Sequence, residues 1–112
     1  MSAFSRLVEQ HYREQWSVSR YAAELAITSV HLNNVCRRLS RQSALEHLHQ
    51  RLLLEAKRSL IYTTLTVAQI SDLLGFTEAA YFSRFFKRLT GISPREFRQQ
   101  RGSTRSGADT GN

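Results

Sequence analysis

Residues 75–94 read GFTEAAYFSRFFKRLTGISP. Five large aromatics, Phe76, Tyr81, Phe82, Phe85 and Phe86, share this stretch with three basic residues, Arg84, Lys87 and Arg88. At about 100° per residue, Phe82, Phe85, Phe86 and Leu89 gather on one side of a helix. Ala80, Ser83, Arg84 and Lys87 fall on the other side. Gly91 stands where a helix-ending glycine belongs, and Pro94 follows it. The stretch therefore predicts an amphipathic helix with an aromatic inner face. Its basic outer face is either solvated or turned toward an acidic partner.

The same spacing occurs 50 residues earlier. Leu32, Val35, Cys36 and Leu39 repeat the positions of Phe82, Phe85, Phe86 and Leu89. On the outer side Asn33 matches Ser83, Asn34 matches Arg84, Arg37 matches Lys87 and Arg38 matches Arg88. Upstream, Tyr21 and Ala22 match Ile70 and Ser71 at a shift of 49. The tight turns ELAIT (24–28) and LLGFT (73–77) each join two short helices, which is helix-turn-helix geometry. Two such units in tandem are predicted: residues 1–43 and residues 66–101. A linker helix and its connection span 44–65, and a disordered tail spans 102–112.

The remaining signals agree on an all-α fold of about seven helices. Phe4, Leu7 and Val8 begin the first. Val18, Tyr21, Ala22 and Leu25 form the second, after Ser17 as N-cap. The third follows Thr28. Leu45, Leu48, Leu52, Ala56 and Leu60 run along the fourth. Thr66 and Gln69 form a capping box for the fifth, and Thr77 or Glu78 starts the sixth. Ser93 and Glu96 form a second capping box, with Pro94 at the first helical position and Phe97 inside the seventh.

Composition limits the function. The chain has 112 residues, 16 Lys+Arg against 9 Asp+Glu, and a net charge of +7. Residues 1–43 and residues 66–101 each carry a net charge of +3, so two basic regions flank a near-neutral middle. This favours a polyanionic partner. No apolar run approaches the ~18 residues of a membrane span, and the start lacks a secretory signal. One cysteine, Cys36, excludes an internal disulfide framework and suits a reducing cytoplasm. No cofactor or metal is expected. His47 and His49 are two residues apart and point apart on a helix, His11 and His31 are isolated, and Cys36 faces inward. Nothing resembles a phosphate loop or a nucleophile–base pair, so no enzymatic activity is expected.

For double-stranded DNA, the outer residues have suitable chemistry. Ala80 lets the backbone approach a groove, and Arg84 carries the planar fork that bonds guanine O6 and N7. Val30 can meet a thymine methyl, and Asn33 and Asn34 can pair with adenine. With Ser83 these are the candidate base contacts. Trp16, Thr28, Arg37, Arg38, Thr77, Lys87, Arg88, Arg95 and Arg98 are the candidate phosphate contacts. A non-specific nucleic-acid binder or a protein-interaction bundle is the alternative.

The segment ISDLLGFTEAAYFSRFFKRLTGISPREFR (70–98) resembles the signature I-A-x-x-x-G-F-x-x-x-x-Y-F-x-R-x-F-K-x-x-x-G-x-S-P-x-x-F-R of the AraC/XylS family of bacterial transcription regulators. The resemblance extends over residues 4–101 and implies two recognition helices in successive major-groove segments. It further implies a transcription regulator, by family habit an activator, with RNA polymerase as a further partner. The family's sensor or dimerisation domain is expected to be absent from this chain. Three departures stand out. Ser71 replaces alanine. Cys36 replaces an aromatic, which implies a looser first core. Arg41 and Ala44 replace glycine and proline at the exit of the third helix, which leaves that helix free to stop or to run on toward the fourth.

Overall fold

The computed structural model describes residues 2–109, with side chains for residues 3–101. Those residues are all-helical, in seven α-helices. In order they are α1 (Ser2–His11), α2 (Val18–Glu24), α3 (Ser29–Ser40), α4 (Ala44–Tyr62), α5 (Val67–Leu73), α6 (Ala79–Thr90) and α7 (Pro94–Asp109), with a single 3-10 turn at Tyr12–Glu14 after α1. None is long and apolar enough to cross a membrane. The chain forms two compact units, Met1–Leu52 and Leu53–Asn112, so α4 contributes its first half to one and its second half to the other.

In unit 1 the buried apolar residues are Phe4, Val8, Tyr12, Tyr21, Ala22, Leu32, Cys36, Ala44, Leu48 and Leu52. In unit 2 they are Leu53, Ala56, Leu60, Ile70, Leu74, Phe82, Phe85, Phe86 and Phe97. Aromatic rings dominate the second set. Phe76 meets Phe82 and Phe85 with centroids 5.4 and 5.3 Å apart, and Phe86 meets Phe97 edge-on at 5.4 Å. Such pairs add to the stabilisation from area burial. Ser71, at the position where the family signature has alanine, is buried at 2% exposure.

The repeat holds at the level of single hydrogen bonds. After α2 the Ile27 N–H donates to the Ala22 carbonyl and the Ala26 N–H to the Ala23 carbonyl, both at 3.0 Å. After α5 the Phe76 N–H donates to Ser71 and the Gly75 N–H to Asp72, both at 3.1 Å. This paired pattern closes a helix only when the penultimate residue is left-handed. Gly75 satisfies that at φ +85°, whereas Ala26 does so at φ +58°. The exits of the next helices repeat the contrast. Gly91 (φ +88°) ends α6, with its N–H on the Lys87 carbonyl. Arg41 (φ +64°) ends α3, with its N–H on the Arg37 carbonyl. Helix α3 therefore stops without a glycine, and unit 1 carries the backbone strain that unit 2 avoids.

Helix starts are also paired. The Ser17 and Thr66 hydroxyl oxygens accept from the Arg20 and Gln69 N–H groups, and Gln69 completes its box by accepting from the Thr66 N–H. Ser93 and Glu96 form the expected box at α7. Ser43 and Glu46 form an equivalent box at α4 that was not expected from sequence. Hydrogen bonds from the Ser43 and Ser93 backbone N–H groups hold the Glu46 and Glu96 carboxyls below the usual carboxylate range. At α6, Glu78 is the N-cap and makes no side-chain cap bond, so Thr77 does not start that helix.

Two further expectations are corrected. Leu39 is 62% exposed rather than buried. Its counterpart Leu89 lies beside Ile92 and Phe97, whereas the equivalent neighbours in unit 1 are the polar Gln42 and His47. Leu45 is half exposed, and Ala44 takes the core position. The backbone of α7 continues to Asp109, through part of the segment expected to be disordered; the rest of that segment lies outside the described residues. Extending an anchored helix costs no new nucleation.

Replacing Ala26 by glycine removes the left-handed Cβ penalty. Ala26→Gly is expected to raise unfolding stability by about 1 kcal/mol, read as a higher urea midpoint at unchanged slope. A lower midpoint would show that the Cβ contributes packing that outweighs the strain.

Candidate nucleic-acid interface

In unit 2, burial of Phe82, Phe85 and Phe86 fixes the rotation of α6 about its axis. Ala80, Arg84 and Lys87 are consequently exposed along one side, with Ser83 half-buried between them and Arg88 exposed at the margin. The Arg84 guanidinium lies 5.1 Å from the centroid of the Tyr81 ring, and Arg88 lies 6.0 Å from that of Phe85. Tyr81 is not among the contacts expected from sequence, yet it is 49% exposed. Its i,i+3 spacing to Arg84 is the signal that points to the pair.

In unit 1, Leu32 and Cys36 orient α3 in the same way. Val30 is 69% exposed, and Asn34, Arg37 and Arg38 are exposed with it. Burial raises the Cys36 thiol pKa, which keeps it protonated and inert. The Thr28 hydroxyl oxygen caps α3 by accepting from the His31 N–H at 3.0 Å. Trp16 is half-buried. It stacks on His11 at 3.9 Å between centroids, and the Arg20 guanidinium lies 4.3 Å from its ring. Trp16 is thus held by its neighbours as a wall beside α2. Thr77 and Arg95 are exposed.

Two expected contacts have other work. Asn33 accepts the Ala44 N–H on its Oδ1 at 2.9 Å and is only partly exposed. The counterpart of Ala44 in unit 2 is Pro94, which has no N–H. Alanine at this position creates an unpaired donor at the start of α4, and Asn33 satisfies it. This bond holds the Asn33 amide against the start of α4.

Arg98 also bonds within the chain. Its Nε donates to the Leu60 carbonyl at 3.0 Å and its Nη1 to Leu65 at 2.6 Å. Its Nη2 donates to Ser59 at 3.4 Å and to Thr63 at 3.2 Å. The guanidinium therefore gathers carbonyls of the last turn of α4 and of the connection that delivers α5. Arg98 is a positioning residue, with its donors turned inward rather than toward a phosphate.

No group of His, Cys, Asp and Glu that could hold a metal ion occurs among the described residues. What the geometry provides is two helix faces bearing exposed basic side chains, each backed by buried ones.

Comparison with known proteins agrees with the all-helical fold. Residues 21–100 match the family of helix-turn-helix domains, and structural neighbours are AraC-type DNA-binding domains. The uncharacterized HTH-type transcriptional regulator YisR of Bacillus subtilis is 25% identical over 95 residues, 85% of this chain and 33% of that protein. The arabinose operon regulatory protein of Escherichia coli is 30% identical over 83 residues, 74% of this chain and 28% of that protein. The chain thus spans about a third of the length of these curated relatives. The DNA-binding domain of AdpA, solved with a target DNA, shares the fold at TM-score 0.84 and 23% identity, over 94% of this chain and 95% of that one. The C-terminal domain of the response regulator yesN from Fusobacterium nucleatum does so at TM-score 0.81 and 24% identity, over 87% and 95%.

Arg98→Lys keeps the charge and loses the fork. It is expected to lower unfolding stability by about 1–3 kcal/mol. Unchanged stability together with weaker DNA affinity would restore Arg98 to the phosphate contacts.

Proposed function

Because the chain belongs to the AraC-type helix-turn-helix family, we propose that it binds double-stranded DNA in a sequence-specific manner as part of a bacterial transcription regulator. The observation that carries this reading is the sidedness of α6. Three buried phenylalanines leave Ala80, Arg84 and Lys87 exposed on one face. A small residue near the helix start, a forked cation in the middle and a second cation further on suit close approach, base reading and phosphate contact in that order.

In this reading α3 and α6 each enter a major groove, in segments about one turn, ~34 Å, apart. Arg84 reads a base. Val30 and Asn34 contribute on α3, while Arg37, Arg38, Lys87, Arg88 and Arg95 neutralise phosphates. Activation through RNA polymerase is the regulatory outcome proposed, in keeping with relatives named as activators, such as RhaR of Cronobacter sakazakii.

Selection of bound sites from random duplex DNA, followed by footprinting, tests the reading. The expected result is a defined sequence protected over two major-groove segments. Protection of a single segment would confine recognition to one unit. Affinity should fall with salt by roughly one log unit per log unit for each phosphate contact; a flat salt response would sink the DNA reading. On the selected site, Arg84→Ala is expected to cost about 1–3 kcal/mol and to relax preference at one base pair. A uniform loss across all sequences would make Arg84 a phosphate contact.

A further inference from the structure

Unit 2 carries a groove of ≈ 380 Å³ that the DNA reading does not use. Leu89, Ile92 and Phe97 supply its apolar part, and Lys57 and Arg101 supply its cations. The Arg101 guanidinium lies 5.3 Å from the centroid of the Phe97 ring. Neither Lys57 nor Arg101 has an ion-pair partner among the described residues.

The tandem repeat provides an internal standard for this face. Arg51 sits on α4 where Arg101 sits on α7, counted from the helix start. In unit 1 the cleft beside Arg51, which shares with the groove the positions of His47 (Phe97) and Arg51 (Arg101), is lined also by Phe4, Val8 and Glu9 of α1. There the Glu9 carboxylate accepts from Arg51 Nε at 2.5 Å and from Nη2 at 3.2 Å. Unit 1 thus answers its arginine from within. In unit 2 the preceding helix presents Lys57 to the groove instead of a carboxylate. Two cations border an apolar floor, and the anion that would complete the arrangement is not supplied by the groove's own lining.

We propose that this groove docks a partner protein through a segment in which a large apolar side chain is flanked by carboxylates. The apolar side chain would lie on Leu89, Ile92 and Phe97, and the carboxylates would pair with Lys57 and Arg101 as Glu9 pairs with Arg51. Arginine and carboxylate meet in a forked, charge-assisted geometry, and charge complementarity around an apolar centre is how such grooves select a partner. A nucleic-acid backbone fits less well, because it has no apolar side chain to cover the floor. Leu89 also lies about 140° around α6 from Arg84, so the groove opens away from the outer residues of that helix and remains available when they are engaged.

Display of random linear peptides on the full chain tests the proposal. Enriched peptides are expected to place Asp or Glu on both sides of a large apolar residue. Their affinity is expected to drop roughly tenfold or more, about 1.4 kcal/mol, in the double variant Lys57→Glu with Arg101→Glu. Lys57→Gln with Arg101→Gln should give a smaller drop in the same direction. Circular dichroism melting checks that both variants are folded. Duplex DNA should not displace the peptides. Absence of enrichment, selection of peptides without carboxylates, or affinity unchanged in folded variants would overturn the proposal. So would displacement by duplex DNA, or self-association of the chain that these variants abolish, which would assign the face to a second copy.

Discussion

Both helix-turn-helix units depend on one backbone constraint, a left-handed residue that lets the chain leave one short helix and enter the next within a few residues. At residues 22–27 and 71–76 the same pair of backbone hydrogen bonds closes the first helix and redirects the chain. That geometry admits no alternative once the bonds are made. It sets the angle at which α3 and α6 leave, and so decides which side chains the cores of the two units can hold. The aromatic cluster around Phe82 and the smaller one around Tyr21 then fix the rotation of α6 and α3. The exposed face is a remainder, defined by what the turn and the core have used.

This order explains which features could be read from sequence. The inner spacing of α6 was legible because helical periodicity is a local property, and Phe82, Phe85 and Phe86 are too large to be anywhere but inside. Caps at Ser17, Thr28, Thr66 and Ser93 were legible because a cap and its N–H lie three residues apart. Leu39 was misjudged because its burial depends on residues 42 and 47, which are polar in unit 1 and apolar in unit 2. The bond that Asn33 accepts was not legible because it follows from a residue 11 positions away, Ala44, whose N–H exists only because proline is absent there. Arg98 reaches carbonyls 33 to 39 positions back along the chain. Its charge was visible from sequence, and its direction was not.

The two units also close the approach to their turns by different means. Unit 2 uses Arg98, whose guanidinium gathers the carbonyls around the end of α4 before α5 begins. The equivalent position in unit 1 is Leu48, which is buried. There the chain leaves α1 through a 3-10 turn and a left-handed Gln15, with Tyr12 buried beneath. Unit 1 therefore controls its entry with backbone conformation and aromatic packing, and unit 2 with a charged clamp. The three left-handed non-glycine residues of the described chain, Gln15, Ala26 and Arg41, all fall in unit 1, and the left-handed glycines Gly75 and Gly91 both fall in unit 2.

That imbalance bears on how the tandem units divide their work. A left-handed residue with a Cβ stores roughly 1–2 kcal/mol, so unit 1 keeps the shared geometry under greater local strain. Unit 2 has relaxed turns, a large aromatic core and a clamp. Among the described residues Lys57 and Arg101 have no ion-pair partner, whereas Glu9 and Arg51 are joined. In unit 1 the same bridge ties α1 to α4 beside Phe4 and Val8, where a helix with few buried residues needs an anchor. One repeat has spent a surface ion pair on holding itself together. The other leaves the corresponding cation exposed beside an apolar floor, an arrangement that suits a partner bringing both a carboxylate and an apolar side chain.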